Sequence, residues 1–523
     1  MSPLARQPLS RRHFLMGAGA SALLAPFALR SAERVAFAMR DASAPSVAIV
    51  GAGIAGLTAA LVLHEHGIAA TVYEAQHRIG GRMHSERAFW DNGQVSEYGA
   101  ELIDSDHTQI RALVRRFGLR LADVLAATPP GAQQTVFEHG AFDPQQSLFR
   151  DFRPVYRTLA AQVSAAGPTT TYARSTAAGR ELDAMSLTQW IERFVPGGVR
   201  SEIGTFIDLQ YVAEYGIEAR RQSSLNMVYW LGRQPQYDRR SGAFVALGPS
   251  DERYHIVGGN QQLPEAIAKA LPQGTLRLGH RLEAIVRRSD GRVGLHFATP
   301  AGHALQIVDK AIVTVPFSVL RGLDLRRADF DARKRAAIQE LGYGDHSKLI
   351  VQFDKRYWRS RGSWPGTSTG DVTYDGPFIQ AWEATRGQPG KTALLVDFAA
   401  AHGSAALATK SPYTTSTTAL TAAYAKTFVE ELERVWPGAR EHFTGKATLS
   451  HVTSDPFARG SYAGWLVGQY TRFAGYERVR QGNVLFAGEH CSVVLQGFME
   501  GAAREGARAA HNVLADAGAA AAA

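Results

Sequence analysis

Residues 46–82 read SVAIVGAGIAGLTAALVLHEHGIAATVYEAQHRIGGR, and this stretch constrains the fold more than any other. Val47 to Val50 reads as a short buried strand, and Gly51-Ala-Gly53-Ile54-Ala55-Gly56 turns directly into a helix. A second apolar strand, Ala70 to Tyr73, is closed by Glu74. Strand, glycine turn, helix, strand and acid, in that order, are the parts needed to hold an ADP moiety. Gly51 permits the tight turn, Gly53 lets backbone approach a pyrophosphate, and Gly56 lets the helix lie close on the sheet. Ile54 and Ala55 open a helix whose first N–H groups lack internal acceptors and carry partial positive charge. Counting from Gly51 to Glu74 gives 23 residues. That is close to the ~20 expected of a carboxylate accepting ribose hydroxyls.

The residues from Glu74 onward decide between dinucleotides. Glu74, Arg78, Gly80, Gly81 and Arg82 form E-x-x-x-R-x-G-G-R. This resembles the second glycine motif of FAD enzymes and is not expected of nicotinamide dehydrogenases. FAD is therefore the expected cofactor, with Arg82 placing a cation near its pyrophosphate. The fold class is then α/β, with a Rossmann-like FAD-binding domain of the two-glycine-motif type.

At 523 residues the chain exceeds the usual limit for a single core, so a second domain is expected. Three separated blocks, 46–124, 254–326 and 452–516, read as one discontinuous FAD-binding domain. In the second block Asn260 is placed to cap a helix beginning Gln261-Gln-Leu-Pro264. Two alternating β segments come next, Arg281 to Arg288 and Val293 to Thr299, turning at Ser289-Asp-Gly291. Leu282, on the first of them, is expected to touch the cofactor. Lys310 to Val315 and Asn483 to Ala487 read as further strands, and a helix is expected from about Gly497. Residues 125–253 and 327–451 have a different texture, with aromatic-rich helical patterns and strands such as Lys348 to Phe353. They are expected to form an inserted α+β substrate-binding domain.

The formal net charge is +9, with no Lys/Arg block that would point to nucleic acid. Part of that charge lies in Ser10-Arg11-Arg12-His13-Phe14-Leu15, ahead of an Ala/Gly-rich run from Met16 to Leu29 that contains Pro26. The run is too short to span a membrane. Residues 1–38 read as a twin-arginine signal peptide ending at Ala36-Phe-Ala38. The expected partner is then the twin-arginine translocase, and the expected location periplasmic or secreted. Losing this segment removes five arginines and one glutamate and leaves +5. Cys491 is the single cysteine, which excludes an intrachain disulfide. The Ala-rich tail, 517–523, is expected to be disordered.

One more element names a family. Phe486-Ala487-Gly488-Glu489, a short loop, then Gly497-Phe498-Met499-Glu500-Gly501-Ala502 match the C-terminal pattern of the flavin-containing amine oxidases. The chain resembles that family of monoamine, polyamine and L-amino-acid oxidases, as a bacterial exported member. The resemblance implies that the Met499 N–H stabilises charge on the flavin ring and that Glu489 binds ribityl hydroxyls. It implies that Tyr462 and Phe498 bracket the amine, with Trp465 nearby, and that Lys348 holds a water beside flavin N5. The competing readings are core packing for each aromatic and a snorkelling surface residue for Lys348. Where mammalian monoamine oxidases attach FAD through a cysteine, this chain has Ser461, so FAD is expected to be non-covalent; Cys491 leaves another linkage open.

Leu102, in Gly99-Ala-Glu101-Leu102-Ile-Asp104, stands where L-amino-acid oxidases carry an arginine for the substrate carboxylate. Leucine cannot make that bidentate contact, which argues for an amine without an α-carboxylate unless Arg220, Arg221 or Arg386 supplies the cation. Glu101 and Glu214 are either contacts for a distal amine or, more simply, solvated or paired surface acids. The expected reaction is FAD-dependent oxidation of a primary or secondary amine to an imine, with hydride transfer to flavin N5. Hydrolysis then gives an aldehyde or ketone, and O2, or a redox protein, reoxidises the flavin, O2 giving H2O2. L-amino-acid oxidation, a carotenoid-type desaturase and a non-catalytic FAD module are the alternatives. No metal site is expected, because the 17 histidines show no H-x-x-x-H spacing, and no Ser/His/Asp hydrolase either. The resemblance also makes a homodimer an expectation.

Overall fold

A computed structural model describes residues 45–142, 145–233 and 250–518. The twin-arginine segment 1–38 and tail residues 519–523 lie outside them. Strand Val47–Val50 is wholly buried and lies between two equally apolar strands, with Ile49 opposite Ile312 of Lys310–Val313 and Val72 of Ala70–Tyr73. Val484–Phe486 and Leu276–Arg277 complete a parallel sheet in the order 484–486, 310–313, 47–50, 70–73, 276–277. Continuous apolar runs suit strands covered on both faces. Helices Ile54–Glu65 and Met499–Asp516 cover one face, packing Leu57, Ala503 and Val513 with Ile49 and Ile312. Against the other lies an antiparallel sheet of Arg281–Arg287, Val293–Thr299 and Gly302–Val308, whose Phe297 stacks on Tyr73 at 4.6 Å.

An eight-stranded sheet forms the second layer system. Its order is Tyr413–Thr415, Phe443–His451, His346–Phe353, Ala393–Ala400, Gln380–Glu383, Ser368–Tyr374, Gln133–Glu138, Ala141–Phe142. His346–Phe353 is central and buried throughout. Side chains alternate across a strand, so Leu349, Val351 and Phe353 pack with Phe428 and Leu432 of helix Ala419–Val435. His346, Lys348 and Ile350 therefore share the opposite face. Short helices between residues 145 and 231, including Glu202–Tyr215 and Leu225–Leu231, build a third wall around Trp190 and Tyr211.

Two local expectations change. Helix Gln262–Ala270 is capped by Gln261 in helical backbone, and the Asn260 side chain is used elsewhere. Its Oδ1 accepts from the Ile256 N–H at 3.0 Å, and its Nδ2 donates to the carbonyls of Ala100 and Glu101 at 3.0 and 2.6 Å. Asn260 thus fixes the 99–104 segment instead of a helix end. Strand Gly302–Val308 was not expected, because its alternation is inverted: Leu305 and Ile307 are exposed on an edge strand while Gln306 faces inward.

Candidate active site

The carboxyl ends of the parallel strands converge at Gly51, Glu74, Thr314 and Gly488, the edge at which open α/β sheets bind ligands. These residues open onto a cavity of about 1190 Å³ that reaches across to the eight-stranded sheet. Gly51 adopts φ +106°, and a Cβ there would lie 2.4 Å from Thr314 Oγ1. A Cβ on Gly56 would lie 2.0 Å from the Gly51 carbonyl. At Gly53 nothing comes nearer than the Gly80 carbonyl at 4.0 Å, leaving a bare backbone shelf. Ile54, Ala55, Gly80, Gly81 and Leu282 line the same end. An amide-lined trough beside a helix N-terminus fits a pyrophosphate.

Glu74 does more than await a ribose. Its carboxylate accepts from the Ala52 and Gln76 N–H groups at 2.8 and 2.9 Å, which locks the glycine turn to the second strand. Burial pushes that carboxyl up despite these bonds. Arg78 donates to the Gly81 carbonyl at 2.7 Å and so braces the second glycine motif. Arg82 and Glu489 line the cavity but are not free groups. Arg82 Nη1 lies 2.9 Å from Glu489 Oε1 and donates to the Ser461 carbonyl at 2.6 Å. The other Glu489 oxygen accepts from the Gly497 N–H at 2.9 Å. The cation expected at the pyrophosphate and the acid expected at the ribityl chain therefore neutralise each other, joining the two ends of the chain. Met499 opens the 18-residue helix Met499–Asp516 after Phe498, with its N-terminal N–H groups toward the cavity wall.

At the far end Leu102, Lys348, Tyr462, Trp465 and Phe498 all line the cavity. The Tyr462 hydroxyl donates to the Glu214 carbonyl, and its ring stacks on His346 at 5.1 Å. Phe498 stacks on Trp230 at 5.9 Å and meets His107 edge-on at 5.2 Å. Trp465 is mostly core, with Nε1 donating to Glu477 at 3.1 Å and its ring on Tyr470 at 4.4 Å. Lys348 does not snorkel to solvent. Its ammonium sits 2.6 Å from Glu101 Oε2 and donates to the Gly99 carbonyl at 2.9 Å, both side chains 8% exposed. Glu101 is accordingly no surface acid. Trp382 Nε1 donates to its other oxygen at 2.9 Å. Burial pushes the Glu101 carboxyl up, but the Lys348 charge together with the hydrogen bonds from Lys348 and Trp382 holds it below the ordinary range.

Arg220 and Arg221 are exposed and absent from the cavity lining, and Arg386, which does line it, is bound to Asp371 at 3.0 Å. Glu214, Glu252 and Asp104 all line the cavity, close enough for their charges to repel. Glu214 and Glu252 keep accessible surface where they line the cavity. Burial and the neighbouring Asp104 push Glu214 up to about 7. Burial, Glu214 and Asp104 push Glu252 up to about 8. Asp104, Asp106 and His107 bring ligand-type atoms within 4.8 Å of one another. Asp104 Oδ1 is already used by Ser250 and by the Glu252 N–H.

This architecture is shared. A family model described as flavin containing amine oxidoreductase matches residues 54–514. The chain belongs to the flavin-containing amine oxidoreductases. Its cofactor is FAD, and it is an oxidoreductase of amines. A probable polyamine oxidase of Arabidopsis thaliana is 25% identical over 487 residues, 90% of this chain and 86% of its own length. A putative L-amino-acid oxidase of Bacillus subtilis is 24% identical over 496 residues, 89% of this chain and 94% of that protein. Cyclohexylamine oxidase from Brevibacterium oxydans superposes with TM-score 0.75 at 19% identity, over 90% of this chain and 99% of that one. A putrescine oxidase bound to putrescine gives 0.72 at 20% identity, with the same coverages. The glycine motifs and the aromatic and acidic residues line the same cavity.

Four cavity residues, His346, Trp382, Trp230 and Glu252, do not stand out in the sequence. Only His346 carries a signal there, two residues before Lys348 on a strand. The sequence does contain one hydrolase-like pattern, Gly366-Thr-Ser368-Thr-Gly370. Its Ser368 is buried at a strand start with Oγ 3.0 Å from Thr135 Oγ1, not on a strand-to-helix elbow.

Proposed function

We propose that the protein oxidises a primary or secondary amine lacking an α-carboxylate to its imine, which water hydrolyses to a carbonyl compound and the released amine or ammonia. The observation carrying this reading is the charge at the substrate end. Three mutually repelling carboxyls line the cavity, and among its arginines Arg386 is bound to Asp371 while Arg233 donates to the Pro168 carbonyl at 2.9 Å. FAD, when bound, would supply the acceptor for the α-carbon hydride, with O2 as the terminal oxidant and H2O2 as its product. Tyr462 and Phe498 would present aromatic faces to the amine and exclude water. Glu214, with a carboxyl near neutrality, would hold the ammonium and take the proton that must leave before the α C–H bond breaks. Leu102 offers nothing to a carboxylate, which separates this reading from an L-amino-acid oxidase. A diamine is the second reading, favoured by Glu252 as a further cavity carboxyl coupled to Glu214.

Anaerobic mixing with amines, diamines and L-amino acids tests both. Flavin bleaching by an amine but not by its α-carboxylated analogue is expected; bleaching by amino acids alone would overturn the reading. Non-covalent FAD is part of the proposal. Ser461 Oγ is bonded to His346, and Cys491 is buried with its thiol on the Glu477 carbonyl. Yellow colour retained in an acid pellet would contradict it. The division into a discontinuous FAD domain and an inserted substrate domain, twin-arginine export and a homodimer are proposed with it, each on its sequence motifs.

A further inference from the structure

We propose that His346 is the positioning residue of this site: it holds the Tyr462 ring at the depth and angle from which it walls the substrate end of the cavity. The proposal rests on the amine-oxidation reading only for the identity of the ligand. His346 is 2% exposed and lies in a stack of three rings, 4.3 Å and 12° from Phe398 and 5.1 Å and 29° from Tyr462. Its hydrogen bonds define one tautomer. Nε2 lies 2.7 Å from the Ala213 carbonyl, which can only accept, so Nε2 carries the proton. Nδ1 then accepts from the Ser461 hydroxyl at 2.6 Å. Burial keeps the ring neutral, with its proton affinity lowered to about 4.

Three segments that place Tyr462 meet this ring. Ser461 precedes Tyr462, and Gly344, two residues before His346, exchanges backbone bonds with Ser461 and Tyr462 at 2.8 Å each. The Tyr462 hydroxyl is held by Glu214, next to Ala213 in the last turn of helix Glu202–Tyr215. That helix ends on Gly216 at φ +62°, where a Cβ would come within 2.5 Å of His346 Cε1. The helix end is thus shaped around the imidazole. A phenylalanine would keep the stack and strand two polar groups, whereas an aliphatic residue would lose both.

The test uses FAD-loaded His346→Ala, His346→Phe and His346→Gln proteins. Three quantities are read: anaerobic flavin reduction per bound flavin, the dissociation constant of an amine with no α-hydrogen from its perturbation of the flavin spectrum, and the Tyr462 ring position in crystals. For His346→Ala, reduction is expected to fall about 10–100-fold and the dissociation constant to rise about tenfold, as a misplacement near 1 Å produces. His346→Phe should fall between it and wild type. Adding Tyr462→Ala to His346→Ala should cost little more, because the two residues act as one unit. Unchanged rate and binding per flavin in His346→Ala, additive losses in the double variant, or an unmoved Tyr462 ring would overturn the proposal. If His346→Ala does not fold, His346→Gln retains donor and acceptor but not the stack, and losses in both quantities, smaller than those set out for His346→Ala, are expected. Failure of the amine reading is separately visible as wild-type flavin that no amine reduces, and the ring position still decides the role of His346.

Discussion

Replacing Lys348 by methionine should destabilise the protein in a pH-dependent way that a second substitution reverses. The ammonium is 2.6 Å from Glu101 Oε2 in a site where both side chains are 8% exposed. Removing one partner of such a pair strands the other, at a cost of about 3–5 kcal/mol. Unfolding entropy of ~2.1 cal/mol/K per residue over this chain amounts to roughly 1 kcal/mol/K, so Tm should fall about 3–5 °C. The sign with pH is specific. In the wild type Lys348 holds the Glu101 carboxyl below its ordinary 4.5, so the pair contributes fully above that pH and is lost as pH falls. In Lys348→Met, burial alone should raise the carboxyl, so stability should now fall as pH rises above 4.5. Lys348→Met/Glu101→Leu replaces the pair with apolar groups and should recover most of the loss. The assay is thermal unfolding by circular dichroism at pH 5 and pH 8, with FAD in equal excess. Equal Tm for the single and double variants, with no pH difference between them, would refute the reasoning.

Three further outcomes are expected. Asp397 is 6% exposed on strand Ala393–Ala400, its Oδ1 has no partner among the described residues, and burial pushes it up to about 8. Its contribution is complete below the unfolded value of 3.8 and fades as pH rises to about 8. Asp397→Leu should therefore unfold at higher temperature than wild type, by a margin that widens from pH 5 to pH 8 and reaches on the order of a few kcal/mol; a margin independent of pH would contradict this. Glu214 gains its charge near pH 7, so alkylammonium affinity should rise from pH 6 to pH 8. In Glu214→Gln the rise should weaken, and Glu252, relieved of the Glu214 charge, should ionise at lower pH than in the wild type; an unaltered profile would count against Glu214. Gly56→Ala places a Cβ 2.0 Å from the Gly51 carbonyl. It should lower the ratio of flavin to protein absorbance after desalting, with overpacking of about 1–3 kcal/mol; wild-type occupancy would show that the turn is not so constrained.

The FAD-binding half of the cavity was legible because its demands are local. A turn at φ +106°, a helix pressed on a carbonyl and an acid closing the next strand each require particular residue types at fixed short spacing. Those requirements stay visible in any sequence that meets them. Lys348, Tyr462, Phe498 and Leu102 are singled out by the resemblance to the amine oxidase family, and the structure brings them to one cavity. Their partners were not legible. Glu101 meets Lys348 across 247 positions and Arg82 meets Glu489 across 407. Any buried charge would seek such a mate, and no spacing along the chain says which one it finds. The same holds for His346, whose meaning depends on a helix end, a strand and a loop that only the folded chain assembles around its ring. The chain alone thus determined the cofactor and the parts that grip it. Tertiary structure decided which charges are spent on one another and which are left facing the substrate, because pairing in a low-dielectric interior depends on distances across the fold.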